Sequence, residues 1–285
     1  MSRPIARRGM TRVRLTKLLR IAAIVAVCVV VFFPVYWMLL SSIQPTQYSL
    51  SYPPPLIPKG FNWSAYVQLF SEKPIGRWLL ISTFVATITV IATLAFVIPA
   101  AYALSGLRWT GRSGFGLLLL FTQIMPAAIV VAPVLALYRG FGWTNNLVAL
   151  AILHTAFVVP LCAWVLKSAF DAVPKEVVEA ALIDGCNRLS VLPRIYLPLA
   201  RPGLVAVSVI AFFASWNEFL FASTLIIDDD LYTASLGLAT LMTQLDTPLF
   251  ELMAAGVVFS VLPVIFYMLI QRHVLRGLTA GSVKG

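Results

Sequence analysis

Few side chains in this chain could do chemistry, and they fall in three places. The first is Ser215-Trp216-Asn217-Glu218-Phe219, where an acid stands inside an apolar stretch. A carboxylate at mid-bilayer costs about 2.5–3.5 kcal/mol on insertion scales, so such a residue usually faces a bundle interior or a water-filled path. Glu218 lies nine residues before Ile227, toward the outer half of its run. Two readings stand: a group on a solute path with Trp216 and Asn217, or a hydrogen bond between helices or subunits near the external mouth. The second place is Thr122-Gln123-Ile124-Met125-Pro126, where Gln123 either faces a central cavity or is satisfied between helices. The third is the polar island Glu179-Ala-Ala-Leu-Ile-Asp-Gly185, continued as Cys186-Asn-Arg-Leu-Ser-Val-Leu-Pro-Arg-Ile195-Tyr-Leu197-Pro198.

Other groups carry less. Gly106-Leu-Arg-Trp-Thr-Gly111-Arg112-Ser113 nearly matches a phosphate-binding loop, but it has Arg for Lys and joins two apolar helices rather than a strand and a helix. It reads as a chance match. Gly277-Leu-Thr-Ala-Gly281 has helix-dimer spacing outside any apolar span, where that motif does not act. His154 and Trp164 read as packing residues, since nothing nearby completes a metal set. Cys28 and Cys162 read as small packing residues, and three scattered cysteines make no disulfide framework.

The elements that must position these residues are membrane helices. Of 285 residues 60% are hydrophobic and 11% charged, against about 25% charged in ordinary soluble domains. Basic Arg3 to Arg20 precede an uncharged run from Ile21 to Leu40, too long for the core of a signal peptide and close to the roughly 20 residues a bilayer requires. Five more spans are expected at about Trp78–Leu104, Gly114–Tyr138, Asn145–Leu166, Pro202–Ile227 and Leu252–Ile270. Pro99, Pro126, Pro133 and Pro160 do not veto them, because packed neighbours satisfy the backbone that proline frees.

The +10 net charge suggests nucleic acid, but the charges sit at the ends of apolar runs and form no binding face. Of the 21 basic residues, only Lys59, Lys73, Arg77 and Arg139 fall on the side opposite the N-terminus, so both termini and the 167–201 loop are expected in the cytoplasm. Most acids (Glu72, Asp228, Asp229, Asp230, Asp246 and Glu251) fall outside. The outer loop from Ser41 to Arg77 starts with stiff prolines and ends in an aromatic stretch that reads as an interfacial helix, with Trp63 and Tyr66 at headgroup level. Inside the loop, Pro174 suits a first helical turn, Lys175 to Asp184 are good helix formers, and Gly185 ends the helix in a left-handed conformation. A second turn starts after Asn187, and Pro193 and Pro198 are expected to break the chain again. By itself this describes an amphipathic helix lying on a membrane.

The order E-A-A, three residues, G, nine residues, I-x-L-P resembles the cytoplasmic signature of ABC importer permeases at Glu179, Ala180, Ala181, Gly185, Ile195, Leu197 and Pro198. In that family the loop is a helix-turn-helix that docks into a cleft of the ATP-binding subunit; Asp184 belongs to the same turn. The proline-then-W-x-x-Y loop, T-Q-x-x-P at Thr122 and W-N-[D/E] at Trp216 are similar to carbohydrate permeases. The tail Gly277-Leu278-Thr279-Ala280-Gly281-Ser-Val-Lys284-Gly resembles that of the second permease subunit of maltose-type importers, where it reaches between the ATP-binding subunits.

The resemblance implies an all-α membrane protein with six transmembrane helices in the type I ABC importer permease fold. A basic N-terminus (1–20), a six-span domain (21–272) and a cytoplasmic tail (273–285) would make up the chain. It would be a non-catalytic subunit in a prokaryotic cell membrane, moving an oligosaccharide, disaccharide or glycerol-phosphate-like compound by alternating access. Partners would be a second, different permease, two ATP-binding subunits, an extracytoplasmic solute-binding protein and membrane lipid. ATP and Mg would be held by the partner, with no cofactor in this chain. Two rivals come from other classes. A secondary transporter carrying ions on Glu218 implies internal repeats and interrupted spans, which the sequence does not display. A non-transporting scaffold leaves the glutamate-to-proline signature unexplained.

Overall fold

The computed structural model describes residues 7–45, 48, 51–53, 55–243 and 247–280, with the backbone alone at 7–16 and 272–280. Every regular element among the described residues is a helix. Four helices are long and apolar enough to cross a membrane, at Lys17–Ile43, Ile75–Ser105, Leu147–Asp171 and Leu249–Gln271. By length and composition the count is up to six if each of two bent pairs is one span: Arg112–Thr122 with Ala127–Gly140, turned by 93°, and Arg201–Trp216 with the preceding loop segment Arg188–Leu199, turned by 79°.

The six expected runs are therefore present, but two are not continuous. Prolines 99, 133 and 160 lie inside unbroken helices, as apolar packing permits. Pro126 does not: it stands at the break, in extended conformation at the N-cap of the following helix. The fifth run stops at Trp216, and a short helix, Leu220–Leu225, resumes after it. Interrupted spans, which the sequence did not reveal, are thus a feature of this chain.

The chain divides into two compact units. One comprises residues 1–72 with 246–257. Here α1 (Arg7–Ile43) is followed by a loop that returns to it, with Asn62 N donating to Ile43 O at 2.7 Å and Tyr36 OH donating to Leu56 O. Helix α2 (Ser64–Glu72) is the expected helix of the outer loop, its start held by Asn62 Oδ1 accepting from Ser64 N at 2.9 Å. Trp63 is exposed, but the Tyr66 hydroxyl lies 2.8 Å from Ser42 Oγ. Tyr66 is therefore tied to α1 through the same oxygen that would otherwise reach the headgroups.

The other unit comprises residues 73–245 with 258–285. Its core is α3 (Ile75–Ser105) against α6 (Leu147–Asp171), with α10 (Arg201–Trp216) packed on both. On α3 the buried residues Ala86, Thr89, Thr93, Val97 and Ala101 repeat every three or four positions. Small side chains on one face let helix backbones approach, which replaces the hydrophobic drive that lipid cannot supply. At Gly203 a Cβ would stand 2.4 Å from Ala169 Cβ, so at that point α10 can approach α6 because the residue has no side chain. The polar start of α6 is capped by Asn146, whose Oδ1 accepts from Val148 N and Ala149 N, both at 3.0 Å.

Between these spans run α4 (Arg112–Thr122) and α5 (Ala127–Gly140), then α7 (Lys175–Ile183), α8 (Arg188–Val191), a π turn (Leu192–Tyr196) and α9 (Leu197–Leu199). After α10 come α11 (Leu220–Leu225), a 3₁₀ turn (Asp229–Leu231) and α12 (Ala234–Thr243). The last helix, α13, is continuous from Leu249 to Ala280. By composition the tail from Gly277 is a frayed end; instead Gly277, Leu278, Thr279 and Ala280 extend the sixth span's helix. Gly281 and Lys284 lie outside the described residues.

Candidate functional site

Two polar constructions stand out, one in the loop after α6 and one at the end of α10. The loop is built around Gly185. Its φ of +89° is the left-handed value that glycine adopts without strain. Cys186 N donates to Ala181 O at 3.0 Å and Gly185 N to Leu182 O at 3.2 Å, the paired 6→1 and 5→2 bonds of a Schellman turn. That turn closes α7 and satisfies carbonyls that would otherwise be orphaned. Asn187 then opens α8, with Oδ1 accepting from Ser190 N at 2.7 Å.

The expected break at Pro193 and Pro198 does not occur. Both prolines lie within the helical run from Arg188 to Leu199, where a π turn and α9 carry the chain through. The bend falls later, at Ala200. An aromatic cluster fastens the loop to the spans: Tyr196 meets Tyr102 and Phe170 edge-on, each at 5.2 Å between ring centroids, and Tyr102 OH donates to Arg188 O.

Fastened this way, the signature residues face in two directions. Ala181 is buried, and Ile195 and Leu197 pack partly buried against the same core. Glu179, Ala180, Asp184, Gly185 and Pro198 are exposed. Around the turn, apolar side chains are also left uncovered. Ile183 is 86% exposed and Leu189 74%, with Val177 and Leu182 beside them. A polar loop gains nothing by holding leucine and isoleucine in water, so this ridge has the character of a docking surface.

At the end of α10, Glu218 is wholly engaged. Its Oε1 accepts from Phe221 N at 2.7 Å, and its Oε2 from Ala222 N at 3.0 Å, capping α11. His154 Nε2 lies 3.0 Å from the same Oε2, and His154 Nδ1 lies 2.9 Å from Ser215 Oγ. With Glu218 ionised, Nε2 donates to it, and a neutral ring then accepts from Ser215 through Nδ1. Thr89 Oγ1, 3.3 Å from Ser215 Oγ, extends the network to α3. The His154 side chain is 2% exposed and that of Glu218 16%.

Glu218 therefore ties α6, α10 and α11 together within this chain. The view of His154 as mere packing missed its partner, and a signal was present: an acid in an apolar span needs a donor, and His154 is the titratable group of the preceding span. The neighbours of Glu218 face different ways. Trp216 is 1% exposed and packs between Phe212 and Phe259, at 5.6 and 5.4 Å. Asn217 is exposed, and its amide donates to Phe213 O at 2.9 Å. Gln123, also exposed, stands at the break between α4 and α5 and donates to Phe157 O at 3.0 Å. The loop, Gln123 and the Glu218 network are three separate places; the structure does not gather them into one site.

The model of one protein family, the binding-protein-dependent transport system inner membrane component, matches residues 12–280. The inner membrane ABC transporter permease protein YcjP of Escherichia coli is 33% identical, over 90% of this chain and 92% of that one. The trehalose/maltose transport system permease protein MalG of Thermococcus litoralis is 30% identical, over 95% and 98%. Among solved structures, a chain of a bacterial ABC transporter involved in the import of the acidic polysaccharide alginate shares the fold, with a TM-score of 0.77 at 22% identity, covering 95% of this chain and 99% of that chain.

Proposed function

Because the chain belongs to the family of binding-protein-dependent transport system inner membrane components, we propose that it is the permease through which a sugar crosses the inner membrane, powered by ATP that a separate subunit hydrolyses. The relatives support the substrate class. One is named for trehalose and maltose and another, from Streptomyces coelicolor, for diacetylchitobiose. Membership in the family implies an ATPase and a solute-binding partner; a second, different permease completes the proposed assembly. ATP and Mg stay on the ATPase subunits. The near phosphate-binding loop at 106–113 joins two helices, α3 and α4, and is not a strand-to-helix nucleotide loop.

The observation that carries this reading is the uncovered apolar ridge around the Gly185 turn, held rigidly to the ends of α3 and α6. In the proposed topology, argued from the basic residues, that ridge and both termini lie in the cytoplasm, and residues 277–280 at the end of α13 face the ATPase subunits. Exposed Ile183 and Leu189 are what a cleft in an ATPase subunit would cover. A secondary transporter would share the interrupted spans, but it needs Glu218 open to an ion; here three donors already occupy the carboxylate.

The test is a double substitution, I183D/L189D, which leaves the core and the Schellman turn untouched. Affinity purification of the tagged chain from detergent-solubilised membranes should recover the ATP-binding subunit with wild type. With the variant it should lose most of it, while membrane insertion is unchanged. Equal recovery would remove the ridge from the coupling mechanism.

A further inference from the structure

Beside the exposed ridge, with Leu182 in its wall, lies a cleft of about 730 Å³ between α7, α8, the end of α3 and the start of α4. Arg108, Arg112 and Arg188 line it. A second hollow of about 490 Å³ shares Arg108 and Arg188 with it and adds Trp109. Among the described residues the ion pairs join Arg77 to Asp230, His154 to Glu218 and Lys167 to Asp171, so none of these three arginines has a carboxylate in contact. The cleft does hold acids. Asp171 is bonded by Lys167 and by Ser105 Oγ at 2.5 Å and also lies within electrostatic reach of Arg112, and Glu179 stands exposed on the α7 wall. Lys175 offsets the latter.

We propose that this cleft binds a phosphate-bearing anion, with Arg108, Arg112 and Arg188 as its counter-charges. Guanidinium groups present paired N–H donors that match phosphate oxygens, and they keep their charge at any physiological pH. The wall is preorganised, since Tyr102 OH fixes the Arg188 carbonyl to α3 and the Gly185 turn fixes α7. The cleft also sits where spans end, at Ser105, Arg112 and Asp171, which is headgroup depth. The half-exposed Trp109 ring, its indole N–H donating to Ala103 O at 2.9 Å, suits that interface. Basic pockets between helices on the cytoplasmic side are recurrent headgroup sites. The phosphate therefore comes from an anionic lipid or from solution. The cleft shares Glu179 and Leu182 with the coupling loop, and the choice of the inner leaflet rests on the orientation proposed above.

The experiment uses the whole transporter, purified through this chain and placed in phosphatidylcholine nanodiscs. One arm titrates phosphatidylglycerol and the other inorganic phosphate, with bound adducts counted by native mass spectrometry. Wild type should retain one adduct per copy of this chain that R108Q/R188Q loses or binds about tenfold more weakly, whereas R108K/R188K should keep part of it. Retention of phosphatidylglycerol alone assigns the headgroup, and retention of phosphate with phosphatidylglycerol inert assigns the free anion. If the double variant does not assemble, R112Q is measured in the same two arms. Equal adduct counts in wild type and neutralised variants, in both arms, overturn the site.

Discussion

Three donors converge on the two oxygens of Glu218, two from the backbone of α11 and one from His154. The carboxylate is thus a joint that stops the fifth span at Trp216 and sets the angle at which α11 leaves it. Replacing it by Gln keeps one acceptor for Phe221 N, but turns an NH₂ group toward Ala222 N–H, leaving a buried donor unpaired at about 1–3 kcal/mol. Glu218→Ala removes every partner and should cost more. We expect the thermal stability of the purified chain to fall from wild type through Glu218→Gln to Glu218→Ala. Uptake should fall only as far as the amount of assembled transporter falls. A Gln variant with wild-type melting and assembly but no uptake would return Glu218 to the solute path. The sequence showed an acid out of place and a histidine in the preceding span, but not that the two meet. His154 is 64 residues away, and only the packing of α6 against α10 brings it to 3.0 Å.

Elements were legible where local chemistry decides them. Good helix formers with a glycine after them specify α7 and its turn, and Asn187 specifies the start of α8. The interruptions were not legible, because proline in a membrane span is only permissive. Pro99 and Pro160 lie in unbroken helices while Pro126 lies at a 93° bend. What distinguishes Pro126 is tertiary: the Gln123 amide reaches across to Phe157 O and holds the chain there. At the Gly185 turn no atom lies within 4 Å of a would-be Cβ, so Gly185→Val meets no clash. Its cost is the left-handed backbone alone, about 1–2 kcal/mol. That is enough to unwind the Schellman turn without disturbing the spans. Expression and membrane insertion of Gly185→Val should match wild type, and ATP hydrolysis in the assembled transporter should lose its response to binding protein. A normal response would mean that the turn's shape does not matter to coupling.

At the scale of the whole molecule, hydropathy and charge revealed more than any single motif. The apolar runs that make the helices were plain, and the bias of basic residues gave an orientation that tertiary contacts do not supply. The long exposed apolar faces, such as Ile24, Val27 and Val31 on α1, suit the lipid of a membrane. If this chain is the membrane part of an ATP-driven importer, transport through it requires ATP. The direct measurement is uptake of labelled maltose and trehalose into vesicles containing the transporter purified through this chain, with binding protein outside and ATP inside. Uptake of one of these, or of another di- or oligosaccharide in the same assay, should require enclosed ATP, stop with a non-hydrolysable analogue and ignore collapse of the proton gradient. Uptake that proceeds without ATP and stops when the gradient is collapsed would contradict the account.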